Sequence, residues 1–405
     1  MGPRFRRVRG SHRRGVALLA RILGVLLAVL LLLLLVTFAF VPGRLDRSLN
    51  RVAGGPLPET SSRARALFAS LRVADLHADA LLWDRDLGER IAHGHVDLPR
   101  LLEGNVALQV FGIVTQAPAG QNFERNEADA LDLITLLAVL QRWPRATWTS
   151  RLERALHQAR VLDEAAARSQ GQLVVVHTAA DLQRFLAARA QNPAMVAGLL
   201  GIEGAQALEG RVENLDALFT AGVRMLGLAH FVDNQVAGSS AGAVQQGLTP
   251  LGRDVVRRME ELGIAVDLAH ASPATIDDVL AMVREPVVVS HGGLQSVCPG
   301  PRTLSDAHAR AIAATGGVIG IGFFEGTTCG TSPVDIARAI RAARDLAGIE
   351  HVALGSDFDG AVSTAFDTTG LAAIVDALQA EGMRDEEIRL VMGENALRVL
   401  GQLLP

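Results

Sequence analysis

Residues 247–272, GLTPLGRDVVRRMEELGIAVDLAHAS, decide the fold. From Leu251 to Leu262 the apolar residues recur at spacings of three and four behind a proline, which predicts an amphipathic helix. The run that follows, Ile264 to His270, is short and apolar and closes on a histidine, the pattern of a buried strand. This helix–strand unit recurs on both sides.

Seven more such runs are Val73–Asp79, Val106–Val114, Met195–Glu203, Val223–His230, Pro286–His291, Gly317–Phe324 and His351–Asp357. Helical patterns at Pro273–Val283 and Ser305–Ala314 lie between some of them. Eight alternating units in about 300 residues match a (β/α)8 TIM-type barrel of class α/β. An open doubly wound sheet is the alternative, but no GxGxxG follows the first strand. Gln116 to Leu186 is too long for a simple crossover and reads as a helical insertion after strand two, with a short strand at Leu173–His177.

The polar residues gather at the ends of these runs. His77 and Asp79 close the first, Glu203 the third, His230 the fourth, His270 the fifth, His291 the sixth and Asp357 the eighth. Barrel enzymes carry their chemistry at the C-terminal strand ends, so these groups should meet at one mouth. His77 and Asp79, two apart on a strand, share a face. A single HxD is weak and a single buried histidine is usually a satisfied core residue. Four histidines and three carboxylates at equivalent places point instead to a metal site, with a donor set suited to Zn2+, because such charge is costly to bury without a cation. Asp75 and Asp267 read as structural or capping residues, and the His93/His95 pair as a loop feature or outer support. His12, His157, His177, His308 and His351 have no pattern supporting a ligand role.

The chain has 405 residues, 49% hydrophobic and 20% charged, so a large core is available and disorder is excluded. Seven arginines and no acid fall in residues 1–41, leaving the remaining chain with 32 basic (39 − 7) against 43 acidic residues. That acidic body supplies no basic patch for nucleic acid and argues against it as a partner. Ile22–Val41 is an uncharged run of 20 residues, about 30 Å as a helix and enough to cross a bilayer. Residues 1–15 therefore read as a basic cytoplasmic leader, 16–41 as a transmembrane signal anchor, 42–61 as an aperiodic tether, and 62–405 as the barrel domain exported from the cytoplasm. A cleaved signal peptide is the rival; its apolar region is usually shorter and ends at a small-x-small site. Export favours a disulfide between Cys298 and Cys329 over two buried thiols. The chain has neither lysine nor tyrosine, which closes Schiff-base, carbamylated-lysine and phenol chemistry.

The motifs LHAD (76–79), GHVDLPRL (94–101), GIEG (201–204), LAH (228–230), residues 247–272, VVSHGGLQSVCPGPR (288–302) and GSDFDG (355–360) resemble the membrane dipeptidase family, peptidase family M19 of the amidohydrolase superfamily. The likeness spans about Leu71 to Leu400. It implies a zinc-dependent dipeptidase with two Zn2+ per chain: His77, Asp79 and Glu203 hold one ion, Glu203, His270 and His291 the other. A hydroxide bridging the ions would attack the peptide carbonyl, with His230 binding the oxyanion and Asp357 relaying the proton. Arg302 would clamp the substrate carboxylate. The absence of lysine agrees with a bridging glutamate. Homodimers are compatible with such barrels, but no interface is legible.

The sequence departs from the family pattern at Phe324, where tyrosine is frequent, at Thr303 in place of asparagine, and at Gln206 in place of histidine. Phe324 puts substrate preference in question. The same zinc barrel acting on an N-acyl amino acid, a lactone or a β-lactam is therefore the second reading, and a non-catalytic binding protein the third. The Gly- and Ser-rich segment Asp233–Gly247 reads as a mobile rim over the site.

Overall fold

The computed structural model describes residues 9–405, with side chains from Val16 onward; the basic leader read over residues 1–15 lies outside the fully described part. The helix of the opening stretch runs Pro250–Leu262. Thr249 caps it by accepting from the Gly252 amide, and Gly263 ends it at φ +69°, a left-handed turn that glycine adopts without penalty. Its buried face is Val255, Val256 and Met259.

Eight strands form the barrel: β1 Val73–Ala78, β2 Val106–Val114, β3 Val196–Glu203, β4 Val223–Gly227, β5 Ala265–Asp267, β6 Val288–Leu294, β7 Val318–Ile321 and β8 Val352–Leu354. Each pairs in parallel with the next, and β8 returns to β1 through Leu354 and Asp75. The ring is closed, so the doubly wound alternative is excluded. Leu108 and Val110 share the β2 face of Gly112, and Leu199 shares the β3 face of Glu203. With Leu76, Met225 and Val288 they form an apolar cluster that includes Leu397 and Leu400 of the C-terminal helix Asn395–Leu403. A second, larger cluster lies between the strands and the surrounding helices. The insertion after β2 carries helices Leu133–Leu140, Arg151–Arg168 and Ala179–Arg189, and its short strand Leu173–Val175 pairs with β3 outside the ring.

The N-terminal segment differs from its sequence reading. One helix runs from Arg9 to Leu49, through Pro42, and its Val16–Leu49 part is apolar enough to cross a membrane, with a mean hydropathy of 3.1 in its most apolar window. Residues 42–49, read as part of a tether, continue this helix, and Arg51–Val52 pairs in parallel with Ser363–Thr364. The reason is a set of side-chain contacts that composition does not reveal. Asp46 pairs with Arg85 through Nε at 2.8 Å and through Nη2, and His93 Nε2 lies 3.0 Å from Asp46. Asn50 donates to Asp46 at 2.9 Å and accepts from the Ala361 amide at 2.9 Å. Only residues 53–61 match the extended link, and Ser61 caps the first barrel-domain helix, Ser62–Phe68.

Candidate metal centre

The strand ends converge. Glu203 closes β3 and is buried; its Oε1 lies 2.9 Å from His77 Nε2, 3.4 Å from His291 Nε2 and 3.7 Å from His270 Nε2. Its Oε2 lies 2.8 Å from His230 Nε2. His77 Nε2 is also 3.3 Å from Asp79 Oδ1 and 4.0 Å from Asp357 Oδ1. Seven groups from six strands therefore meet within one small volume.

Their own contacts leave them incomplete. His77 Nδ1 and His270 Nδ1 are buried without a hydrogen-bond partner, and His77 Nε2, Asp79 Oδ1 and Glu203 Oε1, though close to one another, do not meet in hydrogen-bond geometry. His270 Nε2 and His291 Nε2 face each other at 3.0 Å, a contact two neutral acceptor nitrogens cannot both satisfy. Two ligands of one tetrahedral ion at about 2.0–2.1 Å stand roughly 3.3 Å apart, close to several of these separations. Three subsets have ligand atoms mutually close enough to hold an ion: His77–Asp79–Glu203, Glu203–His230–His270 and His77–His291–Asp357. The donor set fits a divalent metal.

The backbone leaves room for it. A Cβ at Gly112 would overlap the Asp79 carboxylate and come within 2.8 Å of the His77 ring, so only glycine fits beneath this pair. His270 and Asp357 adopt left-handed backbone, each with φ 61°, at a cost of about 1–3 kcal/mol apiece that the surrounding packing must hold.

Electrostatics follow the crowding. Burial works against the His77 cation, yet Asp79 and Glu203 together raise its pKa well above the ordinary value. Burial alone would raise Glu203, but the charges of His230 and His77 hold its carboxyl well below the usual range. Asp357 is pushed well above that range by burial first, with Asp79 and Glu203 adding to it against His77 and Arg302. His270 and His291 are lowered mainly by burial, which favours the neutral imidazoles that ligate metals.

Asp75 and Asp267 support this array from neighbouring positions. Asp267 on β5 accepts from the Ser290 hydroxyl at 2.5 Å and its amide at 2.9 Å, and the same hydroxyl lies 3.0 Å from His291 Nδ1. Asp75 on β1 makes the matching contacts to Ser356, at 2.6 and 2.8 Å, which orders the turn leading to Asp357. Arg302, on the rim after β6, is buried with Nε and Nη2 unpartnered. His230 Nδ1 is 3.3 Å from the Gln116 carbonyl. The Gln206 amide donates to the Glu203 carbonyl at 2.9 Å. Phe324 is buried and lines the cavity beside Phe123 and Phe231. The Asp233–Gly247 segment is pinned rather than loose: Asp233 accepts from the amides of Ser239, Val244 and Gln245.

His93 and His95 stand apart from the cluster. His95 is buried against Phe358 and accepts the Asp359 amide at 3.0 Å. Asp359 accepts in turn from the His95 and Val96 amides and pairs with Arg85 at 2.6 Å. Sequence reasoning missed this Asp46–Arg85–Asp359 bridge; the GSDFDG motif was its only visible signal. Cys298 and Cys329 are bonded, joining the loop that carries Arg302 to the turn after Phe324.

A model of the membrane dipeptidase family (peptidase family M19) matches residues 61–404. A dipeptidase, verJ, of Clonostachys rogersoniana is 35% identical over 212 residues, covering 51% of this chain and 55% of that one. Among solved structures, the dipeptidase AC of family M19 superposes with a TM-score of 0.66 at 26% identity, over 83% of this chain and 99% of that one. A metallopeptidase of Rhodobacter sphaeroides, solved with a phosphinate mimic of L-Ala-D-Ala, gives 0.63 at 26% identity, over 82% and 98%. With a closed barrel, convergent metal donors and a family match across the whole barrel domain, the chain belongs to the membrane dipeptidase family of metallopeptidases.

Proposed function

We propose that this chain hydrolyses dipeptides at a binuclear zinc site outside the cytoplasmic membrane, to which its N-terminal helix anchors it. The observation that carries the reading is Glu203, whose Oε1 lies within 3.7 Å of the Nε2 atoms of His77, His270 and His291 while its Oε2 lies 2.8 Å from His230 Nε2. His77 and Asp79 on one side and His270 and His291 on the other complete two ligand sets that share it. Two divalent ions held there would polarise the scissile carbonyl and acidify a water toward neutrality.

The chain's own groups do the rest. Asp357, buried 4.0 Å from His77 Nε2, takes the proton of the attacking water and returns it to the leaving amine. His230, beside Glu203, donates to the oxygen that gains charge in the tetrahedral state. Arg302 grips the free carboxylate of the substrate with a planar fork, which limits the site to short peptides. The basic leader stays in the cytoplasm by the charge bias of its arginines.

The test is metal analysis of the purified chain with a panel of L,L and L,D dipeptides, N-acyl amino acids and β-lactams. Two zinc ions per chain and turnover of dipeptides are expected. Turnover confined to N-acyl amino acids or lactams would replace this substrate assignment, and fewer than one ion with no turnover would overturn the enzyme.

A further inference from the structure

The anchor helix does not end at the membrane. Its last two turns reach the mouth of the barrel, where Leu45 and Leu49 line the same cavity of about 430 Å3 as Asp79, Glu203, His230 and Arg302. A tether would wander; this segment is fixed. Asp46 is buried between Arg85 and His93, and Asn50 is buried with its carbonyl oxygen on the Ala361 amide. The next two residues add a parallel strand pair at 363–364.

The position of this wall around the mouth is informative. Arg302 follows β6, whereas Leu45 and Leu49 abut elements that follow β1, β2 and β8: Leu82, Trp83, Leu133 and Val362 line the cavity with them. In a closed ring of eight, that sector lies across the mouth from β6. A substrate held by its carboxylate at Arg302 and cut at the metal cluster must direct its amino-terminal residue toward this apolar wall. The cavity falls within the range of about 300–1,000 Å3 typical of small-ligand sites.

The wall is also close to the apolar span. From Val41 to Leu49 the helix advances about 12 Å at 1.5 Å per residue. Leu131, Leu133 and Leu136 stand exposed beside it, on or next to the Leu133–Leu140 helix that packs on the anchor.

We propose that Leu45 and Leu49 are specificity-determining residues, so that the membrane anchor is part of the substrate pocket and selects a bulky apolar group on the amino-terminal half of the substrate. This assignment rests on the dipeptidase reading above. Two sources of that group exist, a large side chain such as leucine or phenylalanine and an acyl chain on the amine, and they share the same chemistry.

The experiment uses the full chain in detergent micelles, comparing kcat/KM for Leu-Ala and Phe-Ala with that for Ala-Ala, and for N-acetyl- against N-octanoyl-alanine. The double variant Leu45→Asn/Leu49→Asn keeps side-chain size and removes apolarity; Leu49→Trp narrows the space. In both, the ratio of large to small substrate should fall about tenfold, in the dipeptide arm for a side-chain pocket and in the acyl arm for an acyl pocket. Ratios unmoved in both variants and both arms, with hydrolysis intact, would overturn the proposal while leaving the dipeptidase standing. Absence of hydrolysis in the unmodified chain would instead remove the reading beneath it.

Discussion

Glu203 Oε1 lies 2.9 Å from His77 Nε2, and both groups are buried. Among the described residues, Glu203 is the carboxylate that reaches His77, His230, His270 and His291 together. If it serves two ions, Glu203→Gln should lower the zinc content from two to below one per chain, whereas Asp79→Ala should retain about one. Ligand bound at a thousand times its Kd stabilises by about 4 kcal/mol, so chelation should also lower Tm by several degrees and abolish turnover until zinc is restored. Metal analysis and calorimetry decide it. Two zinc ions retained in Glu203→Gln would end the bridging role.

Gly112 supplies an independent test, because it touches the site without offering a ligand. Its missing side chain leaves room for Asp79 and the His77 ring. Gly112→Ala should displace the Asp79 carboxylate, cut metal affinity and turnover by at least a hundredfold, and cost about 1–3 kcal/mol as overpacking. Zinc titration followed by activity would show it; a variant with normal metal affinity would mean that the strand yields more easily than the geometry allows.

The legibility of this chain follows from where each residue sits. Glu203 ends a buried strand, His77 stands one residue from the end of another and His291 lies within a third, and an apolar run reaching a charged or ligating residue is visible without a structure. The fold was legible for the same reason: strands covered on both faces read as continuous apolar segments. Gly112 was not legible, since nothing in VALQVFGIV says what lies above its glycine. Nor were Asp46 and Arg85, which meet across loops that have no periodicity. The tether reading failed for residues 42–49 because proline and glycine composition reports local preference, whereas burial of Asp46 and Asn50 and the strand pair at Arg51–Val52 supply tertiary contacts that override it.

Asp359 gives a pH prediction away from the metal ligands. Burial alone would raise its carboxyl, but hydrogen bonding with His95 and the Arg85 charge hold it far below the usual range. A depressed folded pKa adds stability that is full above the unfolded value of about 3.9 and fades as pH falls toward the folded value. Asp359→Asn should therefore lose about 3–5 kcal/mol at pH 7, the cost of breaking a buried pair. The gap to the unmodified chain should shrink below about pH 4. Urea unfolding of both chains without metal, from pH 7 to 3, measures this; a gap independent of pH would refute the linkage.

Arg302 is buried with two donor nitrogens unpartnered, and burial lowers its pKa. A guanidinium left in that state costs stability unless something anionic meets it, and the substrate carboxylate is the anion that a dipeptide brings. Two charge-assisted hydrogen bonds at about 1.5–3 kcal/mol each imply that Arg302→Met should reduce kcat/KM for free dipeptides by about a hundredfold or more, chiefly through KM. Arg302→Lys should recover part of this, because a point charge replaces the fork. Dipeptide amides, which lack the carboxylate, should be slow with the unmodified chain and nearly indifferent to either substitution. Equal losses on acids and amides would show that Arg302 holds the loop rather than the substrate, and the Cys298–Cys329 link on that loop makes the comparison necessary.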